Sequence, residues 1–447
     1  MSEYDVIVVG AGIAGLGVAG LLQRNGLKTL VLEKSKTPGG RAKTRELPGG
    51  WRLDSGTHCV DNGDKSAVAD LLRKVGKEIA WTRTLEGMKV WDEGKWLDAA
   101  DYFNMSDQEN KDIVALMTSF VTMSDAEIDR LDKVSLAEFM KEKVTSPKIV
   151  EYFNIMGMIQ STLSKPEIVS MGEFVSIYRE EIIQSGGYGN TGNVRMPLGG
   201  VGTMTGAQAD AAAEAGVKFE YRTSVKKVIA SKSGVIKIIT EKAEYVAPRV
   251  VMALPIWEMV KLFSGDDEAL PKGWLQHMRT LVDETSASIG FTLAGKKSLF
   301  TEPVYLSAWS IPGVGLPLQI FVQTNFDKTI APPGHMIAFI GACCTPEQAR
   351  DDQFCKEVWA KFWETLQKMF PGLEENVLWK YDGRMVGIDG LARSPGLTGK
   401  YRPPVYMKEV PGLYFAGDCY TGRGVGMNAA ANSAMLCAGK ILSDVGK

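Results

Sequence analysis

The chain has 447 residues, 45% of them hydrophobic, and a formal net charge of −2 with both signs spread along its length. That length predicts two or three domains with sizeable cores, and the balanced charge excludes the basic surface expected of a nucleic-acid-binding protein. The six cysteines form no zinc-like CxxC pair and the three histidines show no HExxH-like spacing, so we expect no metal site.

The first residues argue against a secretory leader and a membrane anchor. Residues 2–5 are acidic, where a signal peptide requires a basic start. Residues 6–22 carry no charge, but their many glycines disfavour a stable spanning helix of about 20 residues. We therefore expect a cytoplasmic protein whose cysteines are reduced thiols.

The N-terminal segment carries the spacing G-x-G-x-x-G between a predicted strand (residues 5–9) and a predicted helix (residues 16–25). Gly10 permits the tight turn, Gly12 lets the backbone approach a pyrophosphate, and Gly15 lets helix and strand pack closely. A second predicted strand (residues 28–32) ends in Glu33, eighteen residues after Gly15, where a carboxylate can accept bonds from an adenosine ribose. The pattern predicts dinucleotide binding.

Glycines and an arginine follow this unit. Gly39 and Gly40 let the backbone pass close to a cofactor, and Arg41 offers a permanent charge with forked donors for phosphate. The alternative for Arg41 is an ordinary surface arginine. Residues 39–59 otherwise read as loops with short strands, and residues 66–181 read as mainly helical.

The middle of the chain returns to alternating elements. A helix is predicted over residues 203–215 and an amphipathic helix over residues 351–369. Predicted strands cover residues 218–221, 225–230, 236–240, 250–253, 286–293, 319–323 and 336–341. The last segment, residues 412–447, reads as a strand that ends at Gly417 and Asp418, a glycine-rich turn, and a long helix.

This order of elements predicts an α/β fold with two domains. A Rossmann-type dinucleotide-binding domain, with a mainly parallel sheet, is assembled from residues 1–65, 196–255 and 379–447. The intervening segments, residues 66–195 and 256–378, form an α+β substrate domain. The long C-terminal helix would turn its N-terminus, near Met427, toward an electron-rich ring edge.

Together the motifs resemble the superfamily of FAD-dependent amine oxidases, protoporphyrinogen oxidases and phytoene desaturases. The motifs that carry the resemblance are the three glycines with Glu33, GGR at 39–41, DSGTH at 54–58 and GLYFAGD at 412–418. The Gly-Asp pair followed by a glycine-rich turn is nearest to phytoene desaturase-like oxidoreductases. The resemblance implies FAD as cofactor, and without an evident attachment cysteine we expect it to be non-covalent.

The resemblance also implies roles for individual residues. It implies that the pyrophosphate contacts Gly10, Gly12, Ala14 and Gly15, and that the adenosine ribose contacts Glu33 and Lys34. The remaining cofactor contacts fall on Gly40 and Arg41 along the phosphates, Gly56 and Thr57 beside the isoalloxazine, Val225 at the adenine, Gly417 and Asp418 at ribityl and phosphate groups, and Val425 and Met427 at the pyrimidine edge of the flavin.

Few acid or base groups are needed if the flavin accepts a hydride, because the cofactor carries that chemistry. His58, Tyr420 and Arg423 are the candidate catalytic residues, since they lie close in sequence to predicted flavin contacts. Each has a plainer alternative: a hydrogen-bonded structural histidine, a packed tyrosine, and an arginine that binds phosphate or solvent. Gly426 stands where amine oxidases of the superfamily place an aromatic residue of their amine cage, which disfavours an amine substrate.

These observations predict an FAD-dependent oxidoreductase of the dehydrogenase or desaturase type, which removes hydride from a carbon of a small apolar substrate. An apolar substrate would imply peripheral contact with a membrane, through residues 101–144. Three alternatives remain: a redox-neutral flavin-dependent isomerase or hydratase, an amine oxidase, and a non-enzymatic escort protein that binds lipidated partners.

Overall fold

The computed structural model describes residues 3–56, 59–185, 193–232, 234–264, 268–309, 311 and 313–447. The strands in these residues are β1 (Val6–Val9), β2 (Thr29–Leu32), β3 (Thr44–Leu47), β4 (Trp51–Asp54), β5 (Met88–Asp92), β6 (Lys95–Asp98), β7 (Lys218–Glu220), β8 (Val225–Ile229), β9 (Ile236–Thr240), β10 (Glu244–Ala247), β11 (Val250–Met252), β12 (Thr285–Gly295), β13 (Tyr305–Ala308), β14 (Leu318–Phe321), β15 (Met336–Cys344), β16 (Val377–Leu391) and β17 (Leu413–Phe415). The α-helices are α1 (Ile13–Arg24), α2 (Ala67–Lys74), α3 (Ala99–Phe103), α4 (Asp107–Thr122), α5 (Asp125–Leu131), α6 (Leu136–Lys143), α7 (Pro147–Ser161), α8 (Met171–Ser185), α9 (Gly202–Ala215), α10 (Ile256–Met259), α11 (Trp274–Thr280), α12 (Pro346–Arg350), α13 (Asp352–Met369), α14 (Leu373–Asn376) and α15 (Gly426–Asp444).

A five-stranded parallel sheet forms the centre of the first layer. Its strand order is β17-β11-β1-β2-β7, and every neighbouring pair runs parallel. β1 and β2 are buried on both faces, which is why they read as uninterrupted apolar runs. Helices α9 and α15 pack against α1. The predicted Rossmann-type domain, drawn from separate stretches of the chain, is confirmed.

A seven-stranded, largely antiparallel sheet forms the second body, with the order β16-β12-β15-β14-β13-β5-β6. β5 and β6 lie inside the region predicted as mainly helical, and β16 crosses the domain boundary predicted at residue 379. β16 pairs with β12 from Leu391 opposite Thr285 to Val377 opposite Gly295. Strand pairing therefore assigns residues 377–391 to the substrate sheet. A local pattern could not show this, because β16 has four consecutive exposed residues, 381–384.

Helices α4 to α8 form the predicted helical region and share one apolar core. Three of them begin with a capping box, in which a serine accepts from the third backbone N–H and a glutamate returns the bond. These pairs are Ser106 with Glu109, Ser124 with Glu127, and Ser135 with Glu138. Within the described residues, no helix combines the length and the apolar character that crossing a bilayer requires.

Two segments pack in a domain other than the one predicted for them from the sequence. α2 lies beside α1 and α15, and its Leu71 shares the core of the parallel sheet. A Cβ on Gly17 of α1 would lie 2.6 Å from Leu71 Cδ2, so the missing side chain makes room for α2. α10 and α11 contribute Ile256 and Met278 to the same core. The segments 66–75, 256–264 and 268–281 thus pack with the nucleotide domain rather than with the substrate sheet.

Candidate active site

The glycine motif builds an open helix terminus after β1. A Cβ on Gly10 would lie 2.6 Å from the carbonyl oxygen of Ala253, and one on Gly15 would lie 2.0 Å from that of Gly10. A Cβ on Gly12 would meet no atom within 4 Å, although Gly12 is the N-cap residue of α1. Packing therefore requires the first and third glycines, while the second faces open space. The first N–H groups of α1 have no carbonyl partner within the helix, so they suit an anion there.

A cleft of about 490 Å³ extends from this terminus along the carboxyl ends of the parallel strands. The predicted cofactor residues on its walls are Gly10, Gly12, Ala14, Glu33, Lys34, Gly40, Arg41, Gly56, Val225, Gly417, Asp418 and Met427. Residues from the N-terminal, middle and C-terminal stretches thus meet in one place. Thr57 and His58 lie outside the described residues.

Glu33 is fixed in the wall of the cleft, directly after β2. Its side chain is 7% exposed, Oε2 accepts the N–H of Ala11 at 2.8 Å, and Oε1 accepts the N–H of Ser35 at 2.8 Å. A carboxylate has further lone pairs on each oxygen, so this one can still accept from ribose hydroxyls.

Arg41 and Asp418 pair across the cleft. The Nη2 of Arg41 lies 2.5 Å from the Oδ1 of Asp418, and its Nη1 donates to the carbonyl of Gly387 at 3.2 Å. The guanidinium also lies over the ring of Trp257, 5.5 Å from its centroid. Arg402, 3% exposed, donates to the backbone carbonyl of Asp418 and holds the turn in place. The cleft therefore offers a fixed cation and a fixed anion midway along its length.

A second cavity of about 540 Å³ adjoins the cleft. It lies between helices α7 and α8 and the seven-stranded sheet, its walls are mainly apolar, and Val425 lies in them. Of the residues that the structure describes, six line both cavities: Gly56, Met385, Ile388, Asp389, Gly426 and Met427. The two spaces thus meet beside the first turn of α15, where the resemblance puts the pyrimidine edge of the flavin.

The second cavity also contains carboxyl groups that the sequence analysis did not find. Burial raises the pKa of Asp61 to about 6, although the charge of Arg393 opposes the shift. Burial and the charge of Asp61 raise the pKa of Glu181, and burial raises that of Asp54 to about 6. Asp61 and Glu181 are distant in sequence, and no spacing connects them. In the part of the chain that the structure describes, no group of three or more ligating side chains could hold a metal ion.

We expect Asp61→Asn to stabilise the protein above pH 6. The pKa of Asp61 is about 6 in the fold and about 3.9 in an unfolded chain, so ionisation disfavours the fold as the pH rises from about 4 to 6. Urea denaturation should give the variant about 2 kcal/mol more stability at pH 7.5 and no advantage at pH 4. The exposed Asp210→Asn is the control, and an equal effect of both variants at pH 7.5 would contradict the assignment.

The structure does not bring Tyr420 and Arg423 to either cavity. The ring of Tyr420 is fully buried and stacks on Phe415, with centroids 5.2 Å apart, and its hydroxyl donates to the carbonyl of Leu254 at 3.4 Å. Arg423 bonds to Asp132 and Glu173 instead. Their nearness in sequence to Asp418 does not carry over to space, so these contacts correct the prediction that they touch the reacting atoms.

Two family models match the chain. Residues 8–75 match the model described as NAD(P)-binding Rossmann-like domain, and residues 180–442 match the one described as flavin containing amine oxidoreductase. A chloroplastic prolycopene isomerase of Daucus carota is 24% identical, over 99% of this chain and 81% of that protein. A phytoene dehydrogenase of Streptomyces griseus is 24% identical, over 98% and 94%.

Solved structures share the fold. An oxidoreductase from Methanosarcina mazei has a TM-score of 0.77 at 22% identity, covering 99% of this chain and 100% of that one. A cyclohexylamine oxidase from Brevibacterium oxydans has a TM-score of 0.69 at 18% identity, with coverage of 99% and 100%. At these identities the likeness concerns the fold alone. With the family matches, it confirms the resemblance predicted from the sequence motifs.

Proposed function

We propose, from the premise that this chain belongs to the family of flavin-containing amine oxidoreductases, that it is a dehydrogenase or desaturase acting on an apolar substrate. The predicted FAD-dependent oxidoreductase is confirmed by this membership and by the relatives. The observation that carries the proposal is the junction of the glycine-lined cleft with a mainly apolar cavity beside α15. Bound FAD supplies the hydride acceptor.

In this proposal the cleft binds FAD through groups already in position. The N-terminus of α1, kept open by Gly12, receives the pyrophosphate, and Glu33 receives the ribose. Arg41 lies along the phosphates, and the first turn of α15 meets the pyrimidine edge of the ring, where its N–H groups stabilise negative charge. Gly12 gives the clearest evidence that the cleft fits the pyrophosphate of FAD, because its missing side chain leaves free space in the wall of the cleft.

We also propose that the FAD is held without a covalent bond. Two cysteines, Cys59 and Cys343, line the second cavity. Burial raises the pKa of the Cys59 thiol, and burial with the charge of Asp389 raises that of Cys343 to about 12. Attachment requires a thiolate, which these surroundings disfavour.

The substrate we propose is a polyene of the carotenoid type. Two observations support it: the apolar walls of the cavity, which include Met117, Met156 and Phe291, and the relatives named phytoene dehydrogenase and prolycopene isomerase. Peripheral contact with a membrane, through residues 101–144, belongs to the same proposal, since a polyene partitions into lipid. Val114 of α4 is 47% exposed, which provides an apolar contact.

A redox-neutral isomerase is the second candidate, and the prolycopene isomerase of Daucus carota favours it through its alignment over 99% of this chain. The two reactions differ in what the substrate does to the flavin. A desaturation transfers two electrons to oxidised FAD, whereas an isomerisation leaves the oxidation state unchanged.

The test is an anaerobic titration of the yellow holoprotein with phytoene dispersed in detergent. We expect bleaching of the oxidised flavin band and a product with a longer conjugated system. Conversion of a cis-polyene only after prior reduction of the flavin, with no net bleaching, would instead identify the isomerase. Release of peroxide with an amine and no response to any polyene would refute both. Gly12→Val is the matched control, because it should carry no flavin.

A further inference from the structure

Asp389 lies where the cofactor cleft and the substrate cavity meet. It is 1% exposed, sits near the end of β16, and is the only ionisable side chain among the six described residues that line both cavities. The sequence shows no motif around it, and its position is set by the pairing of β16 with β12 along the edge of the substrate sheet.

One oxygen of this carboxylate is anchored. Oδ2 accepts a hydrogen bond from the Thr162 hydroxyl and another from Nη1 of Arg393 at 3.3 Å. Arg393 is itself fully buried, and its Nε donates to the carbonyl of Gly424 at 3.0 Å. The backbone N–H of Asp389 donates to Ser286 Oγ at 3.3 Å. A buried carboxylate with a cation and a hydroxyl on one oxygen has little freedom to rotate.

The other oxygen has no such partner. No donor in the described residues bonds to Oδ1, which lies 2.5 Å from the position of a Cβ built on Gly426. Gly426 begins α15 with a φ of +46°, so both its backbone conformation and the nearby oxygen disfavour a side chain there. Glycine at this position lets a carboxylate oxygen lie against the first turn of the helix that is to meet the flavin.

We propose that Asp389 is the base that takes the substrate proton, an inference that rests on the proposed function. In a desaturation one C–H bond breaks with its electron pair and the hydrogen passes as hydride to FAD, which is reduced. The neighbouring C–H bond then loses its proton to Oδ1 of Asp389, and the electron pair of that bond forms the new C=C bond. The same negative charge stabilises the positive charge that develops on the carbon chain.

The test compares Asp389→Asn with Asp382→Asn, the same change at an exposed position of the same strand. Both holoproteins are reduced anaerobically by phytoene, and the midpoint potential of their bound FAD is measured by dye-coupled reduction. We expect Asp389→Asn to bind FAD with a Kd within about threefold of the wild type and to be reduced at least 100-fold more slowly. Its potential should become more positive, because reduction adds negative charge beside a carboxylate that the variant lacks.

Asp389→Asn removes the charged partner of Arg393, and this loss could prevent folding. If that variant does not fold, Thr162→Val is measured in its place. It keeps the charge and the side-chain shape but removes one donor from Oδ2. We expect its flavin reduction to slow about tenfold with an unchanged potential. Wild-type reduction rates in Asp389→Asn, or in Thr162→Val where only that variant folds, overturn the base assignment alone. If phytoene does not reduce the wild-type flavin, the proposed function fails and the base assignment with it.

Discussion

Gly12→Val is expected to abolish FAD binding and leave the protein folded. The N-cap backbone of Gly12, with φ −84° and ψ −177°, lies in the extended region that valine adopts readily. A Cβ there meets no protein atom within 4 Å, so valine instead fills the space through which the pyrophosphate must approach. We expect the Kd for FAD to rise at least 100-fold, about 3 kcal/mol, in a fluorescence titration of apoprotein.

The control for this variant is Gly439→Val, at an exposed position of α15 where a Cβ also meets no atom. Its FAD affinity should equal that of the wild type. Urea denaturation of the apoproteins should show a loss of about 1 kcal/mol for Gly12→Val, the usual cost of a poor N-cap residue. Retention of stoichiometric FAD by Gly12→Val would place the pyrophosphate elsewhere and undermine the cleft as the cofactor site.

The cofactor half of the site could be predicted because its determinants are local. Three glycines, an apolar strand before them and Glu33 after them lie within 28 residues, from Val6 to Glu33, and each has a role set by its immediate neighbours. The C-terminal strand β17 and helix α15 are similarly compact. The structure of such segments can be predicted without knowledge of the rest of the chain.

The substrate half depends on pairings between distant segments. Burial does not alternate along β16, because residues 381–384 are all exposed on this edge strand. Its identity as a strand comes from the long register with β12, and with it comes the position of Asp389. Asp61 and Glu181 also come from distant segments and line the same cavity. The spacing of these residues in the sequence does not predict that they lie close together in the fold.

The turn after Asp418 explains why Tyr420 and Arg423, two of the predicted catalytic residues, do not line the cavities. Gly417, Gly422 and Gly424 all have positive φ, at +134°, +155° and +104°, which residues with a side chain rarely adopt. Tyr420 is directed into the core and Arg423 toward helices α5 and α8. Because of this glycine-rich turn, Tyr420 and Arg423 lie away from both cavities although they are close to Asp418 in sequence.

Arg423→Met is expected to destabilise the fold by about 3–5 kcal/mol without slowing flavin reduction. Nη2 of Arg423 donates to Asp132 at 2.9 Å and Nη1 donates to Glu173 at 3.0 Å, and those carboxylates are 0% and 2% exposed. Burial disfavours the cation, but the bond to Asp132 and the charge of Glu173 raise the pKa of the guanidinium. Methionine fills a similar volume and leaves two buried anions without their counter-charge.

The matched control is Arg350→Met, which removes an arginine whose pair with Asp283 is half exposed on both sides. Urea denaturation should show a loss below about 1 kcal/mol for that variant. At a temperature where both variants are folded, anaerobic flavin reduction should proceed at the wild-type rate, because Arg423 lines neither cavity. Slow reduction in a fully stable Arg423→Met would restore the catalytic role. The expected result instead assigns Arg423 to fastening α5 and α8 to the turn before α15, and so to holding the cavity wall against the cofactor domain.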